Sequence, residues 1–416
     1  MKKRILLIAT LSLLVLILVA CSGNNDGDSN QADGGIGGNL FIWVHEEALA
    51  EPLIRAFNEV HPNVRVEWEQ VGFTDQRQQM ALDGPAGIGP DVFIQPHDGV
   101  ALAINDGLVE PFPADLQARL TNLILPAALN TAMRGGRLYG APFQTENIAL
   151  FYNRAFVSTP PATFEEIRDF ARTWNDPAQN RFAMRWQVND AFHNYPFLTA
   201  FGFSVFGPNM DDWRQMPFDS EAVARGLEFH NSFRPYFDFA TDDVTWDNSV
   251  AAFQRGEVPF TISGPWAIAD ARNNGVDFGV TRLPTMGGNQ PRVFSGAGIA
   301  HVSSFSDNLP AAFAFVEFFA TEGGARAMYE SIGTLTALID ISGIPGLNED
   351  PWLMGFQEQA PFSNPMPTIP EIDLMWTPLA DLFTHSWNGT LTIPEVQEHA
   401  MQVYRDALAI VGLSLD

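Results

Sequence analysis

The chain has one cysteine, Cys21, and two lysines, Lys2 and Lys3, in 416 residues. A lone cysteine allows no internal disulfide, and no thiol is left elsewhere to act as a nucleophile. The absence of lysine beyond position 3 excludes a Walker P-loop, which needs a lysine on the phosphates, and any Schiff-base or pyridoxal-phosphate lysine. The eight histidines are His45, His61, His97, His193, His230, His301, His385 and His399. No two of them stand at metal-ligand spacing on a helix, and neither HExxH nor GxSxG occurs. Positive charge is also scarce: 23 basic against 49 acidic residues, a formal net charge of -26. Such a chain repels phosphate backbones and anionic lipid headgroups. No cofactor, no metal and no nucleic acid are expected. Carboxylates are abundant, so a two-acid glycosidase stays open on counts alone.

Lys2, Lys3 and Arg4 precede an apolar run from Ile5 to Ala20. The run is shorter than the roughly 20 residues of a membrane span and ends in small residues, the layout of a secretory signal. Leu18-Val19-Ala20-Cys21 resembles the lipobox of bacterial lipoproteins. That resemblance implies a diacylglyceryl group on the Cys21 sulfur and cleavage just before it; the plainer alternative is a cleaved signal with an incidental cysteine. More than one acyl chain is needed for a stable anchor. Residues 1–20 are therefore expected to be a lipoprotein signal peptide. Residues 21–39, rich in Gly, Asn, Asp and Ser, are expected to be a flexible tether reaching on the order of 25 Å. Asp26 and Asp28 lack the spacing of a calcium loop and read as solvated linker.

The remainder can build a large core, being 46% hydrophobic with 33 phenylalanines. "NLFIWVHE" reads as a buried strand. "EEALAEPLIRAFNEVHP" has helical apolar spacing, and "NVRVEWEQV" alternates as a strand. A helix then precedes "LDGPAGIGPD", and "DVFIQPHDG" is a strand running into a loop. Strand–helix–strand repetition predicts an α/β fold with a largely parallel sheet, ligands lying beyond the carboxyl ends of its strands. Further on, "RFAMRWQVNDAFHNYPF" reads as strand, loop and helix. "NSVAAFQRGEVPFTISGPWAIADARN" reads as helix, turn at Gly256, strand, and a Gly264-Pro265 break opening a helix at Trp266. "FGVTRLP" and "SGAGIAHVS" are strands, and the C-terminal part is helical behind a Pro-rich "PFSNPMPTIP".

"LFIWVHEE", "GPDVFIQPHDG", "YGAPFQTENIALFYN", "QVNDAFHNYPF", "AFQRGEVPFTISGPWA", "FGVTRLPT", "SGAGI" and "MPTIPEIDLMW" together resemble the extracellular solute-binding proteins of ABC importers, family 1, and among them the maltose/maltodextrin-binding proteins. The resemblance implies a two-lobed periplasmic-binding-protein-like fold (type II), with discontinuous lobes joined by a hinge and the ligand in the interlobe cleft. The N-terminal lobe is expected from residues 40–145 plus 296–340, and the C-terminal lobe from 146–295 plus 341–416. Glu47 and Asp98 resemble the first-lobe carboxylates, Glu146 an acid near the hinge, and Asp190 a family glutamate. Phe192 stands for a tyrosine, Trp266 and Trp376 match the two stacking tryptophans, and His45 replaces an asparagine. Departures are Gln95 for an aromatic, Gly99 and Ala380 for arginines and Ala48 for a lysine, which leaves Gln95, Gln144 and Asn189 as neutral donors.

Aromatic faces suit the C–H faces of a sugar, and carboxylates suit its hydroxyls. The resemblance thus implies a monomeric receptor, lipid-anchored to the bacterial cell membrane through Cys21. It would bind maltose/maltodextrin-type oligosaccharides without turnover and deliver them to the membrane permease subunits of an ABC importer. The same fold binding cyclodextrin or another oligosaccharide is the first alternative, and an extracellular glycosidase the second.

Overall fold

A computed structural model describes residues 35–415 apart from Asp238. Cys21, the signal segment and residues 21–34 of the tether lie outside the described residues. The first strand, β1 (Gly38–Val44), starts within the expected tether. Gly38 has φ 102°, and the Asn308 amide donates to the carbonyls of Gly37 (3.1 Å) and Asn39 (2.9 Å), which pins this end of the chain. Leu40, Ile42, Trp43 and Val44 are buried, as an apolar strand with both faces covered requires.

Helix α1 (Glu47–Val60) buries Leu49, Ala50, Leu53 and Phe57, one stripe of a 3.6-residue period. β2 (Val64–Gln70) alternates and leaves Arg65 and Glu67 exposed, as expected of a sheet edge. α2 (Gln76–Asp83) leads to β3 (Val92–Pro96). The next strands are β4 (Ala141–Asn147) and β5 (Ala149–Asn153), and helix α3 (Ala191–Thr199) follows. Then come β6 (Phe260–Ser263), α4 (Ile268–Asn273), β7 (Phe278–Thr281) and the ten-residue β8 (Val293–Val302). The chain ends with α5 (Glu322–Ile332), β9 (Leu335–Thr336), α6 (Pro351–Gln359), β10 (Ser363–Pro365), α7 (Trp376–Asn388) and α8 (Ile393–Ile410). Among the described residues no helix is long and apolar enough to cross a membrane.

Two sheets result. The first has the order β9-β4-β8-β3-β1-β2, with β10 beside β8, and the second has the order β6-β5-β7. Only β1–β2, β1–β3 and β8–β10 are parallel; β8 runs antiparallel to β3 and β4, and the second sheet is antiparallel throughout. The expected largely parallel sheet is therefore a mixed one. Its fourth central strand, β8, arrives from the second sheet and so runs back across the first. "RFAMRWQV" is likewise not a full strand. Phe182, Ala183, Met184 and Trp186 are buried, but their backbone pairs with β6 only through an isolated bridge at Met184.

β8 supplies both apolar cores. Ala297, Ile299, Ala300 and Val302 join the core under the first sheet, while Val293 and Phe294 join the second. A second passage between the sheets is shorter still, a single buried residue, Ile148, between β4 and β5. Phe294 stacks on Tyr195 of α3 at 3.7 Å between centroids and 8° between planes. Removing a fully buried ring leaves a cavity that the surroundings fill only in part. Phe294→Ala should lower unfolding free energy by about 3–5 kcal/mol in urea titrations; a loss under about 1 kcal/mol would show that β8 does not anchor the second core.

Candidate functional site

β3 ends at Pro96 and passes through a tight turn, His97–Gly99. His97 is fully buried and holds that turn to two other segments. Its Nδ1 accepts from the Ala297 N–H (3.1 Å), which leaves the proton on Nε2 for the Met366 carbonyl (3.2 Å). Asp98 is thereby fixed beyond the carboxyl end of the strand. The Trp376 indole N–H donates to the Asp98 carboxylate. Burial pushes that carboxyl up, against the hydrogen bonds and the Arg77 charge that pull it down.

Glu146, on β4, is buried opposite Gly296 of β8. A Cβ at 296 would come within 2.7 Å of Glu146 Oε1, so the glycine leaves the room that the carboxyl occupies. Burial, with the Asp98 charge adding to it, raises Glu146 to about 7. Near neutrality this carboxyl both donates and accepts hydrogen bonds, which is what a hydroxyl ligand demands.

Trp376 belongs to a run of neighbouring rings with Phe294, Phe192 and Trp266. Trp266 opens the turn after β6, and a Cβ at Gly264 would strike its ring at 2.2 Å, so only glycine lets the indole lie along the chain there. Phe192 lies 6.4 Å from Trp266 and stacks on Phe294 at 6.1 Å. Phe294 meets Trp376 edge-on at 5.8 Å. Both tryptophans and Phe192 are half-buried, and Trp266 touches both apolar cores.

Other expected residues fall less simply. Asp190 caps α3: its Oδ1 accepts from the His193 N–H (2.8 Å) and meets His193 Nδ1 at 2.5 Å. Burial works against ionisation there, but the charge and hydrogen bonds of His193 outweigh it and hold the carboxyl below its ordinary range. The Phe192 backbone N–H also bonds this carboxylate, so Asp190 is largely engaged in holding the helix start. Gln95 is not brought to the rings. It is 2% exposed, and its amide meets His301 Nε2 at 2.9 Å. Gln144 is buried too, its oxygen accepting from Thr334 Oγ1 at 2.7 Å. Glu47 is exposed in the first turn of α1. His45 packs on Phe73 at 5.2 Å, and its Nδ1 is buried with no hydrogen-bond partner among the described residues.

Sequence reasoning missed the charges that bridge the site. Arg77 on α2 binds Asp373 at 2.7 Å, close to Asp98, and so supplies a cation although Ala48, Gly99 and Ala380 do not. Asp373 lies inside the "MPTIPEIDLMW" segment, where an acid just before the tryptophan was the available signal. Glu46 is pushed up by burial and by the facing Asp270 of α4. A surface depression beside Pro113, Gln117 and Arg137 has no such convergence of acids and indoles.

Two sheets joined by crossing strands are the two-lobed periplasmic-binding-protein-like fold. A family model described as bacterial extracellular solute-binding protein matches residues 52–354, and the chain belongs to that family. It is 27% identical to a maltotriose-binding protein of Pyrococcus abyssi, over 82% of this chain and 75% of that one. It is 26% identical to a galactooligosaccharide-binding protein of Bacillus subtilis, over 87% of each. A maltooligosaccharide ABC transporter solute-binding lipoprotein of Streptococcus pneumoniae is 23% identical over 98% of this chain and 96% of its own length. Among solved structures, a Thermus thermophilus maltotriose-binding protein bound with maltotriose superposes with a TM-score of 0.80 at 26% identity, covering 89% of this chain and 100% of that one.

The site sets a pH dependence of stability. Glu146 is harder to ionise folded than unfolded, so the fold carries no penalty below about pH 4.5 and loses stability as pH rises through 7. Glu146→Gln removes the loss. Its advantage in unfolding free energy over the parent should widen between pH 4.5 and 8, toward an upper bound of about 3 kcal/mol, with Tm following; an offset constant across that range would contradict the assignment. On the acid side, burial lowers His45, His97 and His301 to about 4 and His230 to about 3. The stability these neutral rings give above pH 6.5 is lost as pH falls toward 4, and chemical unfolding at stepped pH should show it.

Proposed function

We propose that the chain is the substrate-binding component of an ABC sugar importer, gripping a maltodextrin-type oligosaccharide between residues 40–145 plus 296–340 on one side and 146–295 plus 341–416 on the other. The observation that carries this reading is the pairing of buried or part-buried acids with indoles: Asp98 joined to Trp376, Glu146 beside Asp98, and Trp266 flanked by Phe192. Sugar rings stack on the aromatic faces, and their hydroxyls donate to the carboxylates. Glu47, Asp190 and His45 complete the contacts, with the unpartnered Nδ1 of His45 as an acceptor or donor atom. A ligand touching both sides favours the closed arrangement by its differential contacts, the only means by which it shifts such an equilibrium. A micromolar affinity corresponds to about 8 kcal/mol, within reach of a few stacked rings and charge-assisted hydrogen bonds.

The loaded protein then docks on the permease subunits, and the lipid on Cys21 and the tether keep it near them as an extracytoplasmic monomer. The likeness to a pneumococcal lipoprotein of a maltooligosaccharide transporter supports this location. The likeness to a galactooligosaccharide-binding protein keeps other oligosaccharides within the same reading.

Calorimetry with maltotriose, maltotetraose, a cyclodextrin and a galactooligosaccharide should show one-site binding to at least one. Trp266→Ala and Trp376→Ala should each weaken it by about tenfold or more, 1–3 kcal/mol per lost stacking surface. Silence across the panel, or unchanged affinity in the double variant, would refute the reading. Maltotetraose recovered intact after long incubation is expected; its cleavage would favour the glycosidase alternative.

A further inference from the structure

Trp376 opens α7, and beyond it α7 and α8 form a helical hairpin. Gly389 closes α7 in the left-handed region at φ 68°, and Thr392 with Glu395 opens α8 with reciprocal hydrogen bonds. Asp381 and His385 are four residues apart on α7 and so lie on one helix face. His399 of α8 faces them. Its Nε2 is 3.2 Å from Asp381 Oδ2, and its ring lies 5.0 Å from that of His385 at 85°. One ligating atom from each of Asp381, His385 and His399 falls within 4.8 Å of the others.

We propose that Asp381, His385 and His399 bind one divalent transition-metal ion of the zinc class. Two imidazoles and a carboxylate suit zinc, copper or nickel. In tetrahedral zinc with bonds near 2.0–2.1 Å, two ligand atoms stand about 3.3 Å apart, which the Asp381–His399 pair already matches. The separations to His385 need to close by up to about 1.5 Å, within the rotamer freedom of groups that are only partly buried. The His385 ring is oriented from behind: its Nδ1 meets Thr390 Oγ1 at 2.9 Å, which turns Nε2 toward the ion. A fourth position is left to water. Entry is open, since the side chains of His399 and Asp381 are 38% and 26% exposed. The chain's charge of -26 favours cation capture. Only spacing between histidines was considered in the sequence, so an Asp–His pair on one helix with its partner eighteen positions away passed unseen.

The ion staples the last helix to the one before it, and zinc binding must therefore raise Tm with concentration. The test uses the full chain without a polyhistidine tag. Isothermal titration with zinc chloride should give one site per chain, and cobalt should produce the visible absorption of a low-symmetry, nitrogen-ligated ion. Asp381→Asn, His385→Gln and His399→Gln should each weaken zinc binding by about tenfold or more, and Thr390→Val by less. His61→Gln serves as a surface-histidine control and should change nothing. Oligosaccharide affinity and circular dichroism report that the variants stay folded. No zinc heat at millimolar metal, or undiminished binding in the three ligand variants, would overturn the proposal.

Discussion

One strand belongs to two cores, and the rest of the molecule is arranged around that constraint. β8 buries Val293 and Phe294 among the aromatic rings of the second core and Ile299 to Val302 beneath the first sheet. Its backbone is paired to β10 at one end and to β3 and β4 over the remainder. The position where its allegiance changes, Ser295 to Gly298, is where Glu146, Met366 and His97 gather. Two glycines, Gly296 and Gly298, keep that stretch clear of the side chains of Glu146 and Gln144. Glu146 and Asp98 therefore sit where the two core clusters meet along β8.

Electrostatics at this seam is poised rather than neutralised. The Asp98 charge raises the proton affinity of both Glu146 and Asp373, and Arg77 is the cation that answers Asp98 and Asp373. Buried carboxyls with one shared counter-ion gain from any ligand that brings hydroxyl donors. The indole N–H of Trp376 on Asp98 is a partial version of that satisfaction. Phe294 and Phe192 tie the two tryptophans into one aromatic cluster backed by the second core.

Much of this was legible in the sequence where the signals are local. β1, α1 and β2 follow from period and from Pro62. The Gly256 turn and the Gly264-Pro265-Trp266 break are punctuation that any reading of backbone chemistry finds. What was not legible depends on distant pairing. β3 is buried on both faces, so alternation could not tell that Gln95 turns toward His301 and not toward the rings. Asp190 at a helix start carries one pattern for two roles, cap and ligand, and the cap is visible in its bonds. Arg77 compensates for three missing cations from an unrelated helix, and nothing short of the fold places it beside Asp98. The mixed sheet has the same origin: the direction of β8 is set by where the chain has been, not by its own residues.

The single residue between β4 and β5 has a mechanical meaning. Ile148 is fully buried, so the join is a pivot with no slack. Two backbone dihedrals at Ile148 thus carry the chain from the first sheet to the second, and β8 repeats the crossing in the opposite direction.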